Sequence, residues 1–275
     1  MAEPVKAGAD GRWATLRPRV LTAAVGTPLL LAVLWAGRWP LWALTWALAL
    51  VGSAEFSAML KKRELDLPFW AIGSLTAGVL LDSLLRWPLW PVLLGLFFLA
   101  ALYGLGGTDN QRGFMTGESA LFGALYIGGL MSYLIRLREL PHGFLVVVFV
   151  LAVVWLNDAG AYFIGRRFGR HRLLPRVSPG KTWEGSLGGL AVGLAAAVLL
   201  ALVVGRSAGL GIVAGLVVSL AGQIGDLVES NFKRFVGAKD SGGVLPGHGG
   251  VLDRFDSALF ALPAAYYFLK GIGLS

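Results

Sequence analysis

The chain has 275 residues, 56% of them hydrophobic, with a mean hydropathy of +0.70, no cysteine and a formal net charge of +8. That balance excludes an ordinary soluble domain, and the missing cysteines exclude a disulfide scaffold and thiolate metal sites. The positive charge would suit nucleic acid if it formed one polar patch, but it lies between apolar blocks, where basic residues orient membrane proteins and meet anionic lipid.

Residues 1–18 are polar, and Lys6, Arg12, Arg17 and Arg19 precede the first apolar block. No small-residue cleavage site follows, so this stretch reads as a cytoplasmic N-terminal arm rather than a signal peptide. Long blocks of Leu, Ala, Val and Gly come next, without the ten-residue alternation of closed barrels. They predict spans at about 20–37, 39–59, 68–86, 88–105, 118–136, 143–165, 183–205, 208–228 and 254–271. The expected fold is therefore all-α, a polytopic integral membrane protein of about nine transmembrane helices. Trp35, Trp39, Trp42, Trp87 and Trp90 fall near span ends, where indole favours the interface. With the N-terminus cytoplasmic, eighteen of the 24 Lys and Arg residues lie inside, which puts the C-terminus outside. No repeat or linker divides the chain, so residues 19–275 form one membrane domain, with 19–140 as its first spans and 141–275 carrying its chemistry. Gly188, Gly189, Gly193, Gly211, Gly215, Gly222 and Gly225 predict close packing in the seventh and eighth spans, and a bundle so rich in glycine suits a homodimer.

Charge of both signs gathers between Gly225 and Asp256. Asp226 closes the eighth span and shares a helical face with Glu229 and Lys233; an acid there can also be a solvated helix end. Asp253 and Asp256 open the last span from one side of its first turn, where acids ordinarily offset the helix dipole. The preceding Pro246, Gly247, His248, Gly249 and Gly250 add free backbone amides, a combination suited to phosphate and a divalent cation together. His248 taken alone reads as a structural or solvated loop histidine. Lys233, Arg234, Lys239 and Arg254 could be plain cytoplasmic anchors, but their interleaving with Asp240 and the other acids points to phosphate binding.

A second polar segment, residues 157–185, carries Asp158, five arginines, Ser178, Lys181, Thr182 and Glu184. Gly180-Lys181-Thr182 imitates the tail of a P-loop, but Pro175 stands where that motif needs glycine, and no preceding strand is expected. Glu55 and Asp82 are set aside from the site, Asp82 because Arg86 is available four residues on. No Ser/His/Asp order or zinc-ligand spacing appears.

The run Ser230 to Asp256, SNFKRFVGAKDSGGVLPGHGGVLDRFD, closely resembles the signature of the phosphatidate cytidylyltransferases, and DAGAYFIGRRFGR and SPGKTWEG upstream resemble that family too. The resemblance implies transfer of a cytidylyl group from CTP to phosphatidic acid at the cytoplasmic face of the cell membrane, with magnesium and room for a second metal ion. It assigns the catalytic work to Asp226, Lys233, Arg234, Lys239, Asp240, His248, Asp253, Arg254 and Asp256. Asp226, Asp253 and Asp256 would hold the metal, and Ser178, Lys181, Thr182, Gly249 and Gly250 would hold phosphate. CTP, phosphatidic acid and the bilayer are the partners, and nucleic acid is not. Two other readings are weighed. A CDP-alcohol phosphotransferase needs a DG…AR…G…D…D pattern that is absent, and a cation transporter predicts acids near mid-span rather than at the cytoplasmic rim.

Overall fold

Long apolar blocks leave the backbone only one way to satisfy its polar groups in a membrane, and a computed structural model shows the chain taking it. Residues 24–85, 89–105, 109–244 and 249–274 are described. The helices are α1 (Ala24–Ala36), α2 (Arg38–Lys61), α3 (Phe69–Leu85), α4 (Leu89–Leu105), α5 (Asn110–Ala124), α6 (Leu130–Arg138), α7 (Gly143–Phe168), α8 (Trp183–Val203), α9 (Ala208–Phe235) and α10 (Leu252–Gly271). A π-helical turn, Leu125–Gly129, joins α5 to α6 in one continuous rod. Among the described residues, five segments are long and apolar enough to cross a membrane: Arg38–Lys61, Asn110–Arg138, Gly143–Phe168, Trp183–Val203 and Ala208–Phe235. The protein is thus a helical membrane protein. The N-terminal arm and Arg86, the expected partner of Asp82, lie outside the described residues.

A hairpin was not expected. β1 (Arg172–Leu174) pairs antiparallel with β2 (Ser178–Thr182), the only strands among the described residues. Gly180, Lys181 and Thr182 therefore sit on a strand, and Thr182 ends it by capping α8, its Oγ accepting the Gly185 amide at 3.1 Å. The helix that carries Asp226 also runs two turns past its apolar stretch, to Phe235. It stops at Gly237, whose φ of 69° permits the left-handed turn in which Ala238 N–H reaches back to Lys233 C=O at 2.8 Å.

Helices α7, α8, α9 and α10 pack successively. Glycines make the contacts close: a Cβ on Gly189 would lie 2.6 Å from the Asn157 carbonyl of α7, and one on Gly215 2.7 Å from Ala197 of α8. Two apolar cores flank this row. One joins α2, α3 and the α5–α6 rod to the ends of α9 and α10 through Phe56, Ile72, Ile127 and Leu252; the other joins α1, α6, α7 and α10 through Leu34, Leu137, Val150 and Leu262. Phe56 stacks on Phe232 with centroids 4.6 Å apart, so the first half of the chain is keyed directly into the second.

Candidate active site

A cavity of about 1230 Å³ lies among α1, α2, α7, the hairpin, α8, α9 and the first turns of α10. Along α7 its wall passes from Leu151 and Trp155 through Asp158 to Arg166 and Gly169, so the lining turns from apolar to charged toward the hairpin. Leu29, Leu30, Leu44 and Leu48 extend the apolar part, while Lys181, Asp226, Arg254 and Asp256 belong to the charged part.

Helix packing brings Asp226 and Asp256 together. Gly225 has no side chain, so α9 approaches α10 until a Cβ there would stand 2.5 Å from the Asp256 carbonyl. Asp226 Oδ2 pairs with Lys181 Nζ at 2.6 Å, and its Oδ1 accepts from Ser230 Oγ at 3.2 Å. Asp256 stands in the field of Asp226, Glu229 and Asp158. Glu229, on the same face of α9, is 1% exposed; its Oε2 accepts from Lys233 Nζ at 3.0 Å, while Oε1 is buried without a partner. Asp158 is held from behind by a chain of side-chain amides: Asn157 Nδ2 donates to it at 3.2 Å, Gln223 Nε2 donates to Asn157 at 3.0 Å, and Ser186 Oγ donates to Gln223.

Asp253 has a different environment. Its Oδ1 accepts from Lys233 Nζ at 2.7 Å, and its Oδ2 accepts the amides of Ser241 and Gly250, each at 2.9 Å. Burial pushes this carboxyl up, but the Lys233 ammonium and the two amides outweigh it and hold Asp253 below its ordinary value. Gly249 allows the arrangement, having a φ of 80° and no Cβ, which would lie 2.7 Å from Asp253 Oδ2.

The remaining expected site residues divide between this cavity and its surroundings. Ser178, Lys181, Thr182, Asp253 and Arg254 line it. Arg234 ties the hairpin to the end of α9, donating to the carbonyls of Val177 at 3.1 Å and Ala238 at 3.2 Å. Lys239 and Asp240 line a second cavity of about 390 Å³ with Lys62. Gly250 N–H is spent on Asp253, and His248 lies outside the described residues, as do Pro246 and Gly247. Asp158, Gln223 and Arg172 are cavity residues that the sequence reading left out of the site; a polar side chain in an apolar helix was the signal for the first two.

Among the described residues no three His, Asp or Glu side chains form a ready cation cage. Magnesium commonly needs only one or two carboxylates, the rest coming from water and substrate phosphate. Asp226 and Asp256 supply such a pair, and the crowding of Asp158 and Glu229 against them, with Glu229 Oε1 unpartnered, is a surplus of negative charge that a cation relieves. The donor set fits.

The family model described as the cytidylyltransferase family matches residues 17–272. A phosphatidate cytidylyltransferase of Bacillus subtilis (strain 168) is 35% identical over 273 residues, covering 92% of this chain and 97% of its own length. Its namesake in Staphylococcus saprophyticus is 36% identical over 258 residues, covering 90% and 96%. Another, in Staphylococcus aureus (strain COL), reaches 42% over 158 residues, 57% of this chain and 60% of that protein. With the match running through α1 to α10 and both charged segments inside it, the chain belongs to the cytidylyltransferase family.

Proposed function

We propose that this chain transfers the cytidylyl group of CTP to phosphatidic acid, releasing pyrophosphate and leaving CDP-diacylglycerol in the membrane. The observation that carries this reading is one cavity whose wall passes from Leu151 and Trp155 to Asp158, Lys181 and Asp226. An amphiphile and a nucleotide can meet there without the lipid leaving its leaflet.

Phosphatidate brings an ionised phosphate oxygen, so no general base is needed. That oxygen bonds to the α-phosphorus of CTP as the bond to the β-phosphate oxygen breaks, and the electron pair leaves with pyrophosphate. Repulsion between two polyanions is the main obstacle. Lys181, Arg172 and Arg254 offset it from the cavity wall, with Ser178 and Thr182 beside them. Asp226 and Asp256 would hold magnesium, which when bound neutralises phosphate charge. Asp253, its oxygens already accepting three hydrogen bonds, serves by fixing Lys233 between itself and Glu229. One ion suffices for this reading.

The same reading makes the chain a single membrane domain of nine spans, with 19–140 forming the first half and the site facing the cytoplasm. In its support, the ends of α2, α7 and α9 and the starts of α8 and α10 share one face: Arg63 Nε donates to Phe235 C=O at 2.5 Å, and Arg234 reaches the hairpin. Basic residues crowd that face. Homodimerisation through glycine faces is not part of the proposal, because Gly189 and Gly215 are occupied by α7 and α8 of the same chain.

The test is to supply purified protein in micelles with α-labelled CTP, phosphatidate and magnesium. Liponucleotide and pyrophosphate should appear in equal amounts, EDTA should stop the reaction, and Asp226→Asn should lower kcat at least ~100-fold while the protein still inserts. CTP left unreacted, or hydrolysed whether or not phosphatidate is present, overturns the reading.

A further inference from the structure

Glu55 is a carboxylate in an otherwise apolar and hydroxyl-bearing stretch of α2, and it is 5% exposed. Its three hydrogen bonds all come from one distant segment. Oε1 accepts the Val251 amide at 2.8 Å; Oε2 accepts the Leu252 amide at 3.0 Å and the Ser241 hydroxyl at 3.2 Å. These amides belong to the N-cap and the first residue of α10, a helix without a side-chain cap from its own N-cap residue. Glu55 therefore caps α10 from another helix, where a negative charge is favoured by the exposed N–H groups and the helix dipole. The fit leaves no slack: a Cβ on Gly250 would stand 2.5 Å from Glu55 Oε2, and one on Gly242 2.8 Å from Oε1.

From Glu55 the bonding continues to the charged cluster. Ser241, whose hydroxyl donates to Glu55, gives its amide to Asp253 Oδ2 at 2.9 Å and accepts the Asp253 amide on Oγ at 3.3 Å. Asp253 in turn holds Lys233. We infer that Glu55 is a positioning residue for the transfer reaction: by anchoring Ser241 and the first turn of α10, it sets Asp253, Arg254 and Asp256 at the cavity wall. The catalytic half of this statement rests on the transfer activity proposed above; the anchoring half does not.

Two variants and a control separate anchoring from general support of α2. Glu55→Gln keeps the shape but turns an amide N–H₂ toward backbone donors, and Ser241→Ala removes the bridge alone. The control, Ser53→Ala, deletes a buried hydroxyl of the same helix whose hydrogen bonds go to Ala49 C=O and Thr76 Oγ1 instead of the 241–252 segment. Hydrogen exchange by mass spectrometry is read on peptides covering 249–255 and on α7 and α8, with kcat and both KM values from the labelled-CTP assay. In Glu55→Gln the 249–255 amides should exchange about 10- to 100-fold faster, α7 and α8 should be unchanged, and kcat should fall at least ~10-fold with KM for phosphatidate held within about twofold. Ser241→Ala should show the same pattern more weakly, and Ser53→Ala should keep kcat within about twofold.

Unchanged exchange at 249–255, or faster exchange that spreads to α7 and α8, overturns the anchoring. Local loss of protection with full kcat overturns the positioning role. If wild-type protein leaves CTP and phosphatidate unreacted while Glu55→Gln still frees the segment, the transfer reading fails and the anchor stands.

Discussion

Replacing Gly225 with alanine tests whether the closeness of α9 and α10 matters for catalysis. The new methyl would lie 2.5 Å from the Asp256 carbonyl and 3.0 Å from Phe260 Cβ, whereas ordinary contact begins at 3.4 Å, so α10 must retreat by about 0.9 Å. Neither obstacle is the tip of a flexible side chain. Overpacking of this kind costs about 1–3 kcal/mol, against which the better helix propensity of alanine returns about 0.8–1 kcal/mol. The larger consequence is for activity, since a displacement near 1 Å across a catalytic pair can lower turnover ~100-fold. Gly222, one turn earlier on the same face, is the matched control: its methyl would meet Ser257 O at 3.6 Å and Val154 Cγ2 at 3.7 Å, ordinary contacts. Gly222→Ala should therefore keep wild-type kcat and unfold at the same temperature or slightly higher. Steady-state assay and thermal unfolding in detergent measure both. Full activity in Gly225→Ala, or equal damage in Gly222→Ala, would refute the argument that Asp226 and Asp256 work as a pair set by this contact.

Two further outcomes follow from the cavity and its surroundings. Leu44→Trp, on the apolar part of the wall, should raise KM for phosphatidate about 5- to 10-fold, equivalent to about 1–1.4 kcal/mol, and leave KM for CTP unchanged; a change in the CTP value alone would place the acyl chains elsewhere. Asp253 is held below its ordinary value, so its ionised form stabilises the fold fully above about pH 4 and that contribution disappears as pH falls through the lower native value. The gap in unfolding temperature between wild type and Asp253→Asn should be widest near neutrality and close below about pH 4; a gap independent of pH would contradict the bonding described.

Much of this architecture was legible from apolar block lengths, because a bilayer admits few alternatives: the predicted spans at 39–59, 143–165 and 183–205 lie within α2, α7 and α8 or overrun them by two residues. The close glycine contacts of α8 and α9 were legible for the same reason. The hairpin was not, since its strands are short and their Arg, Ser and Lys residues carry no alternation to read. Within the charged segments, local spacing put Asp253 and Asp256 on one side of a turn, yet it could not say that Asp253 would face Lys233 and two amides while Asp256 faced Asp226. That division depends on how α9 crosses α10. Lys239 and Asp240, near Lys233 in sequence, turn away after Gly237 redirects the chain, which sequence distance conceals.

The bond from Glu55 to Val251 joins residues 196 positions apart, and this bears on biogenesis. At about 5–20 residues per second, a ribosome needs roughly 10–40 s after making α2 before it supplies the amides that receive this carboxylate. Throughout that interval the nascent chain holds an unsatisfied acid beside hydrocarbon, which favours protonation, residence near the headgroups or escort by an insertion factor. Truncation anywhere before α10 would strand the acid permanently.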